Sequence, residues 1–210
     1  MNFLAHLYLS GNNEQICIGN FIADWVKGSH LELYPDIIRK GIIVHRSIDD
    51  FTDHNPIVLR NAKLFKSGFG HYSSVVIDVV YDYFLANLWD NYSTINLPDF
   101  ATSMYSLLLR SRKYMPLPVN RMIPFLIESN RLVSYRSIEG IRSSLAIMAK
   151  NTSLPEKHDF AIDVILKNEE QLTYDFIAFF EQMKEHISRM HGIVLPETIF
   201  PDNNQQSLSA

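Results

Sequence analysis

Apolar residues along this 210-residue chain recur at intervals of three and four, and few segments show the strict alternation of half-buried strands. The pattern predicts an all-α fold. Asn12 or Asn13 can cap a helix running to about Lys27, with Gly28 at its end. Pro35 opens another helix through Phe51, and "DHNP" closes it because Asn55, which precedes Pro56, is pushed out of the helical region. Further helices are expected near 56–66, 72–90, 98–114, 117–133, 136–150 and 157–188, with "KSGFG", "NYSTINLP" and "KNTSLP" as punctuation. Pro124 falls inside one of them. Without repeats, low-complexity tracts or an interdomain linker, the chain reads as one helical domain over residues 1–200 and a polar tail over 201–210.

The same periodicity places polar residues where apolar ones are expected. At 100° per residue, Ile38, Ile42, His45 and Asp49 fall within roughly 60° of one another on the 35–51 helix, while Arg39, Arg46 and Asp50 gather on another side. His45 and Asp49 therefore point inward or into a cleft. Over residues 71–90, His71, Val75, Asp78, Asp82, Leu85 and Trp89 share one stripe of a helix that is apolar nearly all round. Two like charges a turn apart repel, and buried carboxylates cost several kcal/mol unless something positive meets them. Asp24 shares a stripe with Cys17, Asn20 and Phe21, and His6 sits in "NFLAHL". Imidazoles and carboxylates from separate helices form the mixed N/O donor set of a divalent ion inside a helical bundle. Ordinary structure can also account for some of these residues. An i,i+4 His/Asp pair stabilises helices on its own, Asp78 and Asp82 can be paired with arginine, and Asp53 suits a turn. His30, His54, His158, His186 and His191 lie in polar or loop-like contexts and read as surface residues.

Composition narrows the partners. With 47% hydrophobic and 20% charged residues the chain can bury a sizeable core. A net charge of −4 and a pI near 6.0 exclude a general binder of nucleic acid or anionic membrane, so any anionic partner must meet a local basic patch. The single cysteine, Cys17, has apolar neighbours and reads as packing in a reducing compartment. The opening "MNFLAHLYLS" lacks the basic start of a signal peptide, and acids interrupt every long apolar run, so a soluble cytoplasmic protein is expected. No phosphate-cradling glycine loop, dinucleotide fingerprint, nucleophile elbow or paired CxxC is present.

Taken in order, "MNFLAHLYLS", "GNFIADWVKG", "GIIVHRSIDDFTDHNP" and "IDVVYDYFLA" resemble the acyl carrier protein phosphodiesterase family, from residue 1 through about residue 90 and more weakly beyond. The resemblance implies an α-helical fold related to the HD superfamily of metal-dependent phosphohydrolases. It implies Mn²⁺, with Mg²⁺ or another divalent ion as the alternative, and holo acyl carrier protein as substrate. The products would be apo carrier protein and free 4′-phosphopantetheine. It marks His6, Asp24, His45, Arg46, Asp49, Asp53, Asp78 and Asp82 as motif positions. Where the family commonly has an acid followed by His-Phe-Leu, this chain has Asp82-Tyr83-Phe84-Leu85, and Tyr83 lies off the acid stripe.

On this footing Asp24, His45, Asp78 and Asp82 are expected to hold one or two ions, with Asp49 as a further ligand or as the residue that orients His45. His6 or His71 would protonate the leaving serine oxygen, and Arg46 would meet a phosphate oxygen or a carboxylate. An acidic carrier protein calls for a basic docking face, which "LRSRKYMPLPVNR" offers in Arg110, Arg112, Lys113 and Arg121. The rival readings are an HD-like phosphohydrolase acting on a small nucleotide or other phosphodiester, and a non-catalytic helical module that binds carrier protein.

Overall fold

The computed structural model describes residues 1–200, so the expected tail at 201–210 lies outside the described residues. Among the described residues there are twelve α-helices and no strand. The chain begins with a short helix that the periodicity did not single out, α1 (Phe3–Leu9), capped by the Asn2 side chain on the Phe3 amide. Asn13 caps α2 (Glu14–Ile22) by accepting from the amides of Gln15 and Ile16. This helix stops at Ile22 rather than near Lys27, because its end tightens into a 3₁₀ turn over Ala23–Trp25 and the chain extends at Val26. Gly28 does not cap it but begins a second 3₁₀ stretch, Gly28–Leu33.

After Pro35 comes α3 (Asp36–His54), which runs past Phe51. Asn55 serves two helices. Its amide closes α3 on the Thr52 carbonyl at 3.2 Å, and its side chain caps α4 (Pro56–Phe69) on the Ile57 amide at 2.9 Å. Next follow α5 (Ser73–Asn87), α6 (Trp89–Tyr92) and α7 (Leu97–Arg110). Two of the expected long helices are divided at asparagines. Segment 117–133 becomes α8 (Leu117–Glu128) and α9 (Arg131–Ser134), parted by Asn130 in the left-handed region at φ 43°, where the Tyr105 hydroxyl donates to its side chain. After α10 (Ile138–Asn151), segment 157–188 becomes α11 (His158–Lys167) and α12 (Glu169–His191), because the Asn168 side chain donates to the Val164 carbonyl at 2.8 Å.

An aromatic core lies between α5 and α12. Tyr81 meets Phe176 edge-on at 5.4 Å, Phe176 stacks on Phe180 at 5.1 Å, and Tyr92 stands edge-on to Phe180 at 5.0 Å, all wholly buried. Burial stabilises each by roughly 1.5–3 kcal/mol. Helices α2 and α3 come into backbone contact at Gly19 and Gly41. A Cβ on Gly19 would lie 2.0 Å from the Ile38 carbonyl oxygen, and one on Gly41 would lie 2.3 Å from that of Ile16. Only glycine lets the two backbones touch, and this contact brings Asn20 of α2 beside His45 of α3.

Candidate active site

Four polar side chains from three helices meet next to that crossing. His45 and Asp49 are one turn apart on α3, as their stripe requires, and His45 Nε2 lies 3.0 Å from Asp49 Oδ2. His6 of α1 brings its Nε2 to 3.2 Å from the other oxygen, Asp49 Oδ1. The two imidazoles stack at 4.2 Å. Their remaining nitrogens share one partner, since His6 Nδ1 and His45 Nδ1 lie 2.8 and 3.1 Å from Asn20 Oδ1.

The Asn20 amide cannot turn over, because its Nδ2 donates to the His6 carbonyl at 2.8 Å and to Ser10 Oγ at 2.9 Å. Its oxygen only accepts, so both Nδ1 atoms must carry protons. Each Nε2 therefore faces Asp49 either as a lone pair against a carboxylate or as a second N–H. Burial, reinforced by the neighbouring His45, lowers the pKa of His6 and keeps it neutral. Its Nε2 lone pair then confronts Asp49, a contact that a cation between them would relieve. Burial also opposes charge on His45, but Asp24 and Asp49 outweigh it and raise the pKa to about 9. Asp24 is held below the usual range mainly by its hydrogen bond with His45, whose Nε2 lies 3.1 Å from Asp24 Oδ1. Burial pushes Asp49 up, yet the charged His45, whose Nε2 faces it, holds it well below that range. One donor atom from each of His6, His45 and Asp49 fits within 4.8 Å of the others. Neighbouring ligands around one small divalent ion stand about 3 Å apart, so the residues present fit such an ion.

The two acids of α5 have other partners. Asp82 is wholly buried, and its oxygens accept from the amides of Leu4 at 2.8 Å, Ala5 at 3.2 Å and Asn2 at 3.3 Å, so the carboxylate caps α1. Burial nonetheless raises its pKa to about 7 against these donors. Asp78 pairs with the Met1 amine at 2.7 Å, and burial raises its carboxyl pKa. The positive partner expected between the two acids is thus α1 itself and the Met1 amine. Asp78 still lines the cavity described below, whereas Asp82 does not.

Other expected site residues lie elsewhere. Arg46 is exposed and donates to the Val26 carbonyl at 3.1 Å, and His71 is exposed against Tyr72 at 4.1 Å; neither lines the cavity. Tyr83 donates to Glu169 of α12 at 3.2 Å, away from the cluster. Arg110, Arg112, Lys113 and Arg121 gather around the α7–α8 connection. Arg110 is paired with Glu14, Arg112 donates to Asn120 at 3.1 Å, and the Lys113 amine lies 4.9 Å over the Tyr114 ring. Asn20 is the site residue the sequence reading passed over, although it shares the stripe of Asp24. His6, expected as a proton donor, places its Nε2 beside Asp49 in the same candidate ligand cluster as His45.

The cluster opens into a cavity of about 1100 Å³. His6, Asp24, His45, Asp49, Asp53 and Asp78 line it, together with Phe125, Leu126, Ile147 and Met148 of α8 and α10. The volume is at the upper end of ligand pockets. Among the described residues no helix is long and apolar enough to cross a membrane.

Comparison with known proteins agrees with the motifs that meet here. An acyl carrier protein phosphodiesterase from Yersinia pestis is 33% identical over 150 residues, covering 71% of this chain and 78% of its own. One from Escherichia coli O45:K1 is 31% identical over 195 residues, covering 90% and 98%. No solved structure matches the chain. The profile of a family described as acyl carrier protein phosphodiesterase matches residues 1–183, a span that holds the cluster and the whole cavity wall, and the chain belongs to that family.

Proposed function

We propose that the protein hydrolyses the phosphodiester between 4′-phosphopantetheine and the serine of holo acyl carrier protein, releasing apo carrier protein and 4′-phosphopantetheine. Family membership supports the substrate, and one observation carries the chemistry: His6, His45 and Asp49 converge, with imidazole tautomers set by Asn20, in the wall of a cavity of about 1100 Å³. These three residues, with Asp24 beside them, would hold Mn²⁺ or a similar divalent ion. Such an ion supplies Lewis-acid polarisation of water and of the phosphoryl group. The chain's own part is positional. Asn20 keeps both Nδ1 atoms protonated so that both Nε2 atoms are free to bind, and Asp49 spans the two rings with its two oxygens. The apolar walls of α8 and α10 would exclude water along the arm.

The basic residues Arg110, Arg112, Lys113 and Arg121 would dock the acidic carrier, and Arg121 adjoins Met122 of the cavity wall. We also place this activity in the cytoplasm, in keeping with a buried, unpaired Cys17. The test is mass spectrometry of purified holo acyl carrier protein incubated with this protein, with Mn²⁺ and with EDTA. Loss of the 4′-phosphopantetheine mass with Mn²⁺ alone is the expected result. An intact substrate after incubation with folded, metal-loaded protein sinks the reading.

A further inference from the structure

A guanidinium lies in the cavity wall with no acid to meet it. Arg131, at the start of α9, is 7% exposed, and among the described residues no carboxylate comes within salt-bridge distance of it. Its hydrogen-bond partner is Ser144 Oγ of α10. That hydroxyl gives its own proton to the Gly140 carbonyl at 2.7 Å, so toward Arg131 it acts as a neutral acceptor. A buried charge left this way is costly unless an anion completes it.

One turn further on, Tyr135 is 1% exposed and lines the same cavity, and its hydroxyl has no hydrogen-bond partner among the described residues. Burial holds its phenol well above the ordinary range, so it is a donor at neutral pH. A guanidinium and a phenolic O–H on residues one turn apart in the same cavity wall are a donor set suited to phosphate oxygens. The segment is held firmly. The Leu132 amide donates to Tyr105, whose hydroxyl donates to Asn130, and a Cβ on Gly140 would lie 1.8 Å from the Ser134 carbonyl oxygen.

We propose that Arg131 and Tyr135 form an anion subsite in the cavity wall that takes the non-bridging phosphate oxygens of the substrate and then the phosphate of the released product. The identity of the ligand rests on the phosphodiesterase reading; the subsite itself rests on a buried guanidinium that no acid meets and a phenol without a protein partner. It gives this chain the phosphate-binding arginine that Arg46, outside the cavity, does not provide.

The test separates the subsite from the metal and from turnover. Binding of 4′-phosphopantetheine and of pantetheine to EDTA-treated protein is measured by calorimetry. The wild-type protein is expected to prefer the phosphorylated ligand by about tenfold or more, one charge-assisted interaction being worth about that factor. Arg131→Met should abolish the preference without weakening pantetheine binding. Tyr135→Phe should reduce it several-fold at unchanged Tm, and Ser144→Ala, which removes only the protein partner of Arg131, should keep it. A wild-type protein with no preference overturns the proposal. So does an unchanged preference in folded Arg131→Met or, should that variant not fold, in Tyr135→Phe. Phosphate preference without release of the prosthetic group from holo carrier protein would sink the proposed function and leave the subsite standing. Release without phosphate preference would do the reverse.

Discussion

Asp82 and Asp49 both anchor α1 and are surrounded in different ways. Around Asp82, every donor is a backbone amide of α1 or of its capping residue Asn2, fixed in place whatever the pH. Around Asp49, the donors are imidazole nitrogens whose protons come and go. The first arrangement is closed, with nothing left for a ligand to satisfy. The second is complete only when a proton or a cation fills it. Burial alone would have ranked Asp82, the more deeply buried, as the functional acid; the chemistry of the donors ranks Asp49 first.

The sharpest way to break this contrast is to neutralise each acid in turn. Asp49→Asn should reduce turnover of holo carrier protein to the level of a protein-free control, with helical content by circular dichroism unchanged. Turnover near wild type would remove Asp49 from the site. Asn20→Ala frees both imidazoles to take the other tautomer, so Mn²⁺ affinity by titration should fall by about 10–100-fold. An unchanged affinity would mean that the rings are held without it. Asp82→Asn should act on the fold, costing about 1.5–3 kcal/mol through weakened charge-assisted hydrogen bonds. Its Tm should drop by about 2–4 °C per kcal/mol while turnover per folded molecule stays near wild type. A variant with native Tm and no turnover would instead make Asp82 a ligand.

pH should also act on the stability of the metal-free protein. His45 has a folded pKa of about 9, above its ordinary 6.5. Its pairing with Asp24 and Asp49 contributes fully below pH 6.5 and is lost as pH rises through 9. Thermal melts of EDTA-treated protein should show Tm declining across that window, and His45→Gln should flatten the decline. A slope that persists in His45→Gln assigns the effect to another group.

The half of the site carried on one helix was legible in the sequence. The spacing of Ile38, Ile42, His45 and Asp49 is a property of helix geometry and needs no knowledge of neighbours. The partners of Asp78 and Asp82 were not legible, because they come from residues 77 to 80 positions away and local periodicity carries no record of such pairing. The same holds for Arg131. As one basic residue in an amphipathic stretch it is unremarked, and only the folded arrangement shows that no acid reaches it. The breaks at Asn130 and Asn168 were hidden for a different reason. Apolar spacing continues across both, while the interruption is made by backbone conformation and a side-chain hydrogen bond.

The contact of Gly19 with Gly41 has a practical consequence for redesign. Even alanine at either position would drive α2 and α3 apart, and the histidines would lose their common acceptor together. A mutant library aimed at new phosphodiester substrates should therefore hold that crossing constant and diversify Phe125, Leu126, Ile147 and Met148 of α8 and α10, where shape can change while the histidine cluster on α1 and α3 stays intact.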